Sequence, residues 1–408
     1  MGLWVACLVV LVLRRPDLLA HPQFLAEDGV VFFREQLMDG ATSIWHQYAG
    51  YHHLAARIVA LAAAGLPVVA QPAFYAGAVL FLEAASCAAV GVLLKSVAPN
   101  PWVRGIVAIG IAAAIPADEI IGSVANLQWY LALPVLTASI VPPPARLIWP
   151  VRVAGVLVGL STPQGVFAAP FALWRWVRRG HDGDPWIPTL YAGASICNVV
   201  TATDAAGRHA TPDWPLAALV STWYRVGDAL WFGRSGAETL AAHSSIGGAL
   251  IGAATIAAVL ALVARMLGMR AVFAVAFVLF APIAVTLNAR ELGGASILHY
   301  EFFGGDRYFV TACAALLVAA LVASSRLSGR ARVAALIVVS LLPIVNDFRE
   351  PQPLENDDWP TSAVRVEGWR AQYAARSATA PISVPIPPAW KLDLPACRPG
   401  AGGAMTCE

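Results

Sequence analysis

The sequence is poor in charge. Asp, Glu, Lys and Arg make up 13% of its 408 residues, about half of the roughly 25% that is usual in soluble domains. Of its 27 basic residues, only Lys95 and Lys391 are lysine. Hydrophobic residues make up 58% of the chain, and the mean hydropathy is +0.66. Because a soluble fold could not bury this much apolar surface, the composition predicts an integral membrane protein.

The sequence also lacks the patterns of soluble catalytic domains. It has no Walker motif, no dinucleotide fingerprint and no Gly-x-Ser-x-Gly nucleophile elbow. No Cys-x-x-Cys or histidine-rich pattern indicates a metal site, so we predict no cofactor; a divalent metal stays open without a pattern that points to it. The net charge of +2 comes without a basic run, which argues against a nucleic-acid partner.

The apolar residues fall into many stretches, several of them short or broken by proline. They predict an all-α polytopic membrane protein, with a bundle of about 10–13 transmembrane helices over residues 1–345. Residues 346–408 have lost the long apolar runs, and we expect a small tail outside the cytoplasm. Its proline-rich run at 381–388 should be extended rather than helical. Cys397 and Cys407 can pair as a disulfide if the tail lies outside.

Arginine bias predicts the orientation, because short cytoplasmic loops are rich in Lys and Arg. Five clusters mark such loops: Lys95 with Arg104, Arg146 with Arg152, Arg175 with Arg178 and Arg179, Arg265 with Arg270, and Arg326 with Arg330 and Arg332. A polar loop at about 14–53 is then outside only if residues 54–70 do not cross the membrane fully. Arg57 and the break at Pro67 favour a partial dip, and the alternative of a full crossing stays open.

Two adjacent carboxylates, Glu27 and Asp28, stand out in that loop. They come after the first apolar run and are flanked by Phe24, Phe32 and Phe33. Charge beside a membrane is costly and usually marks function. A carboxylate at the membrane boundary can act as a general base between a lipid-borne substrate and a polar acceptor. The alternatives are a solvated loop carboxylate or a helix N-cap.

This arrangement resembles the GT-C superfamily of glycosyltransferases, which includes the protein mannosyltransferases and the bacterial aminoarabinose transferases. The shared features are a first span, an outer loop with adjacent acidic residues near its start, and many short spans. The run at 22–29, followed by Gly50, Tyr51 and Arg57, also resembles a set of bacterial membrane proteins that we place in the same superfamily. The resemblance is architectural over most of the chain and specific only in the first loop.

The resemblance implies a reaction and its partners. A sugar on a polyprenyl phosphate would be transferred, with inversion, to a glycan, glycolipid or protein acceptor of the cell envelope. The reaction would take place at the outer face of the bacterial cytoplasmic (inner) membrane, among membrane lipids. Asp28 would be the general base, with Glu27 as second choice. Asp118 and Glu119 form a second acidic pair and are kept as alternatives.

The lipid phosphate that leaves needs positive charge near the membrane surface. Arg57 lies inside an apolar segment, and we expect it to bind the donor phosphate and to pair with Asp28. Arg307 follows two glycines that let backbone approach a phosphate closely. The alternative for Arg307 is an ordinary interfacial arginine beside an aromatic belt residue.

Further polar and aromatic residues of the predicted outer loops are candidates for binding substrate. Their side chains can hydrogen-bond sugar hydroxyls or stack on a sugar face, and each has an ordinary alternative as a belt or loop residue. The broken helix at 161–164 would line a groove for the lipid-linked donor. The substrate-binding candidates are Tyr51, His52, Asn126, Gln128, Trp129, His299 and Tyr300.

Two other functions remain open from the sequence. A transporter or flippase of a lipid-linked saccharide would also use broken helices and intramembrane arginine. Such transporters often contain an internal repeat, which we do not find, and they need no acidic pair at the mouth of the first span. An O-antigen-type polymerase would share the many spans and the arginines near outer loops.

Overall fold

The computed structural model describes residues 1–115, 120–178, 183–201, 219–290, 306–348, 354–399 and 405–406. It is 77% helical with little sheet. Within these residues, three helices are long and apolar enough to cross a membrane: Val68–Ser96, Ile246–Leu267 and Arg307–Ser324. Shorter apolar helices are Gly2–Arg14, Leu54–Ala63, Pro101–Ala114, Val124–Ile140, Trp186–Val200 and Met269–Ile283. The helical class and the membrane association agree with the prediction, whereas a bundle of ten or more spans stays a prediction.

The helices form a body and a smaller layer at one end of it. The helices of the body are Gly2–Arg14, Gln71–Leu93, Pro101–Ala114, Leu127–Ile140, Ile148–Gly159, Ala169–Val177, Trp186–Val200, Ala229–His243, Ser245–Leu267, Met269–Arg290, Val310–Ser324 and Gly329–Asp347. Their main core is made mostly of Ala, Val, Leu and Ile side chains, with a few aromatic rings and cysteines. Small residues let neighbouring helices approach closely. A Cβ on Gly91, for example, would lie 2.8 Å from the carbonyl oxygen of Arg104.

Local sequence explains several helix ends. Asn100 caps Pro101–Ala114 by accepting a hydrogen bond from the Trp102 amide, and Pro101 suits the first helical position. Ser244 caps Ser245–Leu267 through the Gly247 amide. That helix ends at Gly268, whose φ of +89° is accessible to glycine.

The smaller layer joins the first polar loop to the C-terminal residues. Its loop part contains the π-helical turn Asp28–Phe33, the helix Arg34–Asp39, the paired strands Gln47–Tyr48 and Tyr51–His52, and the helix Leu54–Ala63. Its C-terminal part is residues 354–399, which we call the C-terminal cap. The cap holds the helix Trp359–Ala374 and the antiparallel strands Ile382–Ile386 and Trp390–Leu394. The extended conformation predicted for the proline-rich run is confirmed at 382–386.

Alternation along the cap strand explains how the cap packs. Val384 and Ile386 are buried while Ser383 and Pro385 are exposed, which is the two-residue period of a strand with one covered face. Cys397 is disulfide-bonded, whereas Cys7, Cys87, Cys197 and Cys313 are free. Cys407 lies outside the described residues.

The segment 54–70 does not cross the body. The helix Leu54–Ala63 has 10 residues, about 15 Å at 1.5 Å per residue, which is half of a hydrocarbon layer of about 30 Å. Val59, Ala63 and Val68 share one core cluster with Trp359 of the cap. The segment therefore begins and ends against the same layer, as a partial dip would.

Candidate active site

Residues 24–33, which we call the acidic loop, begin with a strained backbone. Ala26 has a φ of +41°, in the region that non-glycine residues rarely adopt. Its amide donates a 2.8 Å hydrogen bond to the carbonyl of Pro387 in the cap. Glu27 and Asp28 follow, and Asp28 opens the π-helical turn Asp28–Phe33. Such turns are rare and occur frequently at functional sites.

Asp28 is anchored on the helical turn Val124–Asn126. Its carboxylate accepts hydrogen bonds from the Ser123 hydroxyl at 3.1 Å, the Val124 amide at 3.1 Å and the Ala125 amide at 3.0 Å. The side chain is 2% exposed. Burial raises the pKa of Asp28 to about 7; the three hydrogen bonds oppose this shift and the neighbouring Glu27 adds to it.

Glu27 has a different environment from Asp28. It is 15% exposed, and its Oε1 lies 3.8 Å from Nη1 of Arg307, which is 19% exposed. The Tyr48 hydroxyl lies 3.5 Å from the same oxygen. Arg307 also stacks over the ring of Tyr308, 5.2 Å from its centroid. The structure thus brings together two residues that the sequence placed far apart, a carboxylate and a guanidinium that both retain exposure.

Arg57 does not pair with Asp28, and that expectation was wrong. Its Nη1 donates to Oε2 of Glu35 at 2.5 Å, and its guanidinium lies 4.9 Å from the centre of the Phe32 ring. Glu35 is positioned for this pair by the helix Arg34–Asp39, directly after the π-helical turn. Arg57 is 1% exposed, so its charge is buried beneath the acidic loop. A role in phosphate binding stays a prediction, with Arg307 the more accessible of the two cations.

The predicted residues of the next helix lie beside the acidic loop. Asn126 belongs to the turn that anchors Asp28, and its side-chain amide lies 3.5 Å from the Ser123 hydroxyl. The Trp129 ring contacts Tyr308 edge to face at 5.6 Å. Gln128 lies between these two residues in the sequence and is buried, at 3% exposure. Asn126 therefore lies beside the anchor of Asp28, and Trp129 lies beside the residue that follows Arg307.

The broken helix at 161–164 reaches the same region. It forms a 3₁₀ turn, Pro163–Ala168, capped by Thr162. Gln164 is 2% exposed, and its side-chain carbonyl accepts a 3.1 Å hydrogen bond from the Thr311 hydroxyl, one turn beyond Arg307. A polar turn at this position is thereby joined to the helix that carries Arg307.

Tyr51 and His52 lie on the short strand pair. The His52 amide donates to the Asn198 side chain at 2.7 Å. Tyr51 stacks on His53 at 4.1 Å, and His53 in turn lies 5.6 Å from both Phe32 and Tyr48. This aromatic group connects the strands to Glu27 through Tyr48. His299, Tyr300, Asp118 and Glu119 lie outside the described residues.

Sequence reasoning missed three contributors to the site. Ser123 precedes a helical turn, and serine before such a turn is a usual anchor for polar contacts. Tyr48 is one of two tyrosines three positions apart, with Tyr51, which is a weak signal. Pro387 gave no signal at all, because its role depends on its carbonyl. Across the described residues, no group of three or more His, Cys, Asp or Glu side chains could hold a metal ion.

No protein-family model matches this chain, and comparisons with curated proteins and with solved structures give no match either. The geometry of the acidic loop and its neighbours is therefore the basis for assigning a function.

Proposed function

We propose that this protein is a membrane-embedded glycosyltransferase of the GT-C type. It would move a sugar from a polyprenyl-phosphate donor to a cell-envelope acceptor at the outer face of the bacterial cytoplasmic membrane. The observation that carries the proposal is the approach of Glu27 to Arg307, 3.8 Å between Oε1 and Nη1. A carboxylate suits the proton of an acceptor hydroxyl, and a guanidinium suits the oxygens of a lipid phosphate.

The two carboxylates receive different roles. Glu27 is the general base, because it keeps exposure and meets Arg307. Asp28, which the sequence ranks first, is 2% exposed and held by three donors, so it orients the loop. An acceptor oxygen attacks the anomeric carbon while Glu27 takes its proton. The bond from that carbon to the phosphate oxygen breaks, and the phosphate leaves with the electron pair beside Arg307.

The setting of Glu27 suits a donor carried by a lipid. Arg307 opens an apolar helix that could cross a membrane, Arg307–Ser324. The phosphate of a membrane-borne donor lies at the end of such a helix, where a cation is best placed to meet it. The Tyr308 ring lies against Arg307, and the Trp129 ring contacts Tyr308 edge to face, so two buried aromatic rings support this cation from behind.

The proposal is tested by sugar transfer with the full chain in membranes. Labelled polyprenyl-phosphate sugars are supplied with an envelope extract, and Glu27→Gln and Arg307→Gln are compared with wild type. We expect each substitution to lower the rate by roughly 10²–10⁴-fold, the usual contribution of a positioned base or charge. Glu238→Gln is the matched control, because Glu238 is 46% exposed in a surface pair with Arg234.

Three results would contradict parts of this proposal. If wild type transfers no sugar from any donor, the glycosyltransferase function is wrong. Movement of the intact lipid-linked saccharide across the membrane without transfer would favour the transporter. If Asp28→Asn is inactive while Glu27→Gln retains full activity, the base is Asp28 and the roles are reversed.

A further inference from the structure

The C-terminal cap contacts the acidic loop on both sides of the carboxylate pair. On one side, the amide of Ala26 donates to the Pro387 carbonyl at 2.8 Å. On the other, the side chain of Ile386 lies over Gly29, where a Cβ would be 2.7 Å from Ile386 Cδ1. Two consecutive cap residues thus contact the residue before Glu27 and the residue after Asp28.

The contact at Ala26 holds an unfavourable backbone conformation. A φ of +41° costs energy in a residue with a Cβ, and such strain persists only where the surroundings impose it. The hydrogen bond from Ala26 to Pro387 ties this residue to the cap. Glu27 is the next residue in the chain, so the φ of Ala26 helps to set the direction in which the Glu27 side chain points.

The contact at Gly29 leaves no space for a side chain. Ile386 is fully buried, and Phe24 Cβ lies 3.1 Å from the position of a Gly29 Cβ on the other side. Gly29 is the second residue of the π-helical turn that Asp28 opens. Ile386 therefore fixes how closely this turn can approach the cap.

The rest of the cap makes this contact rigid. Trp359 packs edge to face on Phe24 at 4.8 Å and on Phe33 at 6.2 Å. Arg34 donates to the carbonyl of Asp393 at 3.0 Å. Opposite the cap, the turn Val124–Asn126 holds Asp28. The acidic loop is enclosed between the cap and the helical body.

We infer that Ile386 and Pro387 are positioning residues, which set the backbone on each side of Glu27 and Asp28 and so aim both carboxylates. The effect on sugar transfer rests on the proposed function. The effect on the conformation of the acidic loop rests on the contacts alone.

The experiment introduces a steric clash into the full chain with one substitution and removes it with a second. Gly29→Ala places a methyl group against Ile386 Cδ1, and Ile386→Val removes that carbon. The variants are Gly29→Ala, Ile386→Val and the double variant. Two controls are Gly193→Ala, where a Cβ would meet nothing within 4 Å, and Ile382→Val at the other end of the same strand.

Hydrogen exchange of a peptide covering 24–33 is measured against the helix Gln71–Leu93 as internal reference. We expect Gly29→Ala to raise exchange of the acidic loop by about tenfold or more while the reference stays unchanged. It should lower kcat by roughly 10- to 100-fold with KM little changed, because the carboxylates are misplaced rather than removed. The double variant should recover most of both losses. Ile386→Val alone should raise loop exchange and lower kcat slightly, by less than Gly29→Ala does, and the two controls should resemble wild type.

Unchanged loop exchange in Gly29→Ala, or a double variant no better than the single one, overturns the inference. If loop exchange behaves as expected but no form of the protein transfers sugar, the positioning role stands and the proposed function fails. Should Gly29→Ala not accumulate, Ile386→Ala removes the contact without a clash. It must then raise loop exchange and leave Gln71–Leu93 unchanged; if the loop is equally protected, the inference is wrong.

Discussion

The π-helical turns Asp28–Phe33 and Trp223–Asp228 each contain a buried aspartate. The two aspartates differ in the hydrogen bonds that their carboxyl groups accept. Asp28 accepts three hydrogen bonds. Asp228 is fully buried, and neither of its oxygens has a hydrogen-bond partner within the described part of the chain. Burial raises the pKa of Asp28 to about 7. Both carboxyl groups are buried, but of the two only Asp28 is held in one direction by hydrogen bonds from described residues.

The surroundings of the two turns explain the difference. The first turn lies between the cap and the turn Val124–Asn126, whose free amides point at the carboxylate. The second packs against the glycine-containing helix Ser245–Leu267, where a Cβ on Gly252 would be 3.1 Å from Oδ2 of Asp228. Backbone amides inside a helix are already used by the helix itself. A carboxylate acquires donors where a helix begins, and Asp228 faces the middle of one.

The largest expected effect is on the free energy of unfolding, which should fall much further when Asp28 is replaced than when Asp228 is replaced. Asp28→Ala leaves buried donors without an acceptor, at about 1–3 kcal/mol for each unmet group, so we expect several kcal/mol of destabilisation. Asp228→Ala removes a buried carboxyl group that has no hydrogen-bond partner among the described residues, and its cost should stay within about 1 kcal/mol. Unfolding midpoints of the full chain in detergent measure both. Equal losses would mean that the three hydrogen bonds of Asp28 contribute little.

An intermediate effect is expected on the pH dependence of the free energy of unfolding. The carboxyl group of Asp28, whose pKa rises from 3.8 when unfolded to about 7 when folded, stabilises the protein most fully below pH 3.8. That contribution is lost as pH rises through about 7, and it amounts to roughly 4 kcal/mol. We expect Asp28→Asn to flatten the fall in stability between about pH 4 and 7. A slope that this substitution leaves unchanged would place the titration elsewhere.

The smallest effect tests one anchor of Asp28. Ser123→Ala removes the hydroxyl donor and leaves the two backbone amides, so we expect a loss of about 1 kcal/mol. Ser139→Ala is a matched control, because Ser139 is also buried but bonds only to a carbonyl of its own helix. A loss no greater than that of the control would show that the amides alone hold the carboxylate.

Part of the site could be predicted from the sequence. Glu27 and Asp28 could be singled out as adjacent carboxylates between phenylalanines. Arg307 could be singled out because two glycines, Gly304 and Gly305, come shortly before it. The partner of Arg57 could not be predicted, because Glu35 becomes its neighbour only when the acidic loop folds over the helix Leu54–Ala63. The ranking of Asp28 above Glu27 came from resemblance, whereas the difference in their exposure comes from contacts with residues about 100 to 360 positions away along the chain.

The sequence by itself determined the helical, apolar character of the protein, the extended cap strand, and the presence of an acidic pair and of two candidate cations along the chain. These properties depend on composition and on patterns a few residues long. Only the tertiary structure decided that Asp28 is anchored, that Glu27 meets Arg307, and that the cap encloses the acidic loop. Burial and hydrogen bonding at these positions depend on which distant segments meet, and a local pattern of residues carries no information about that meeting.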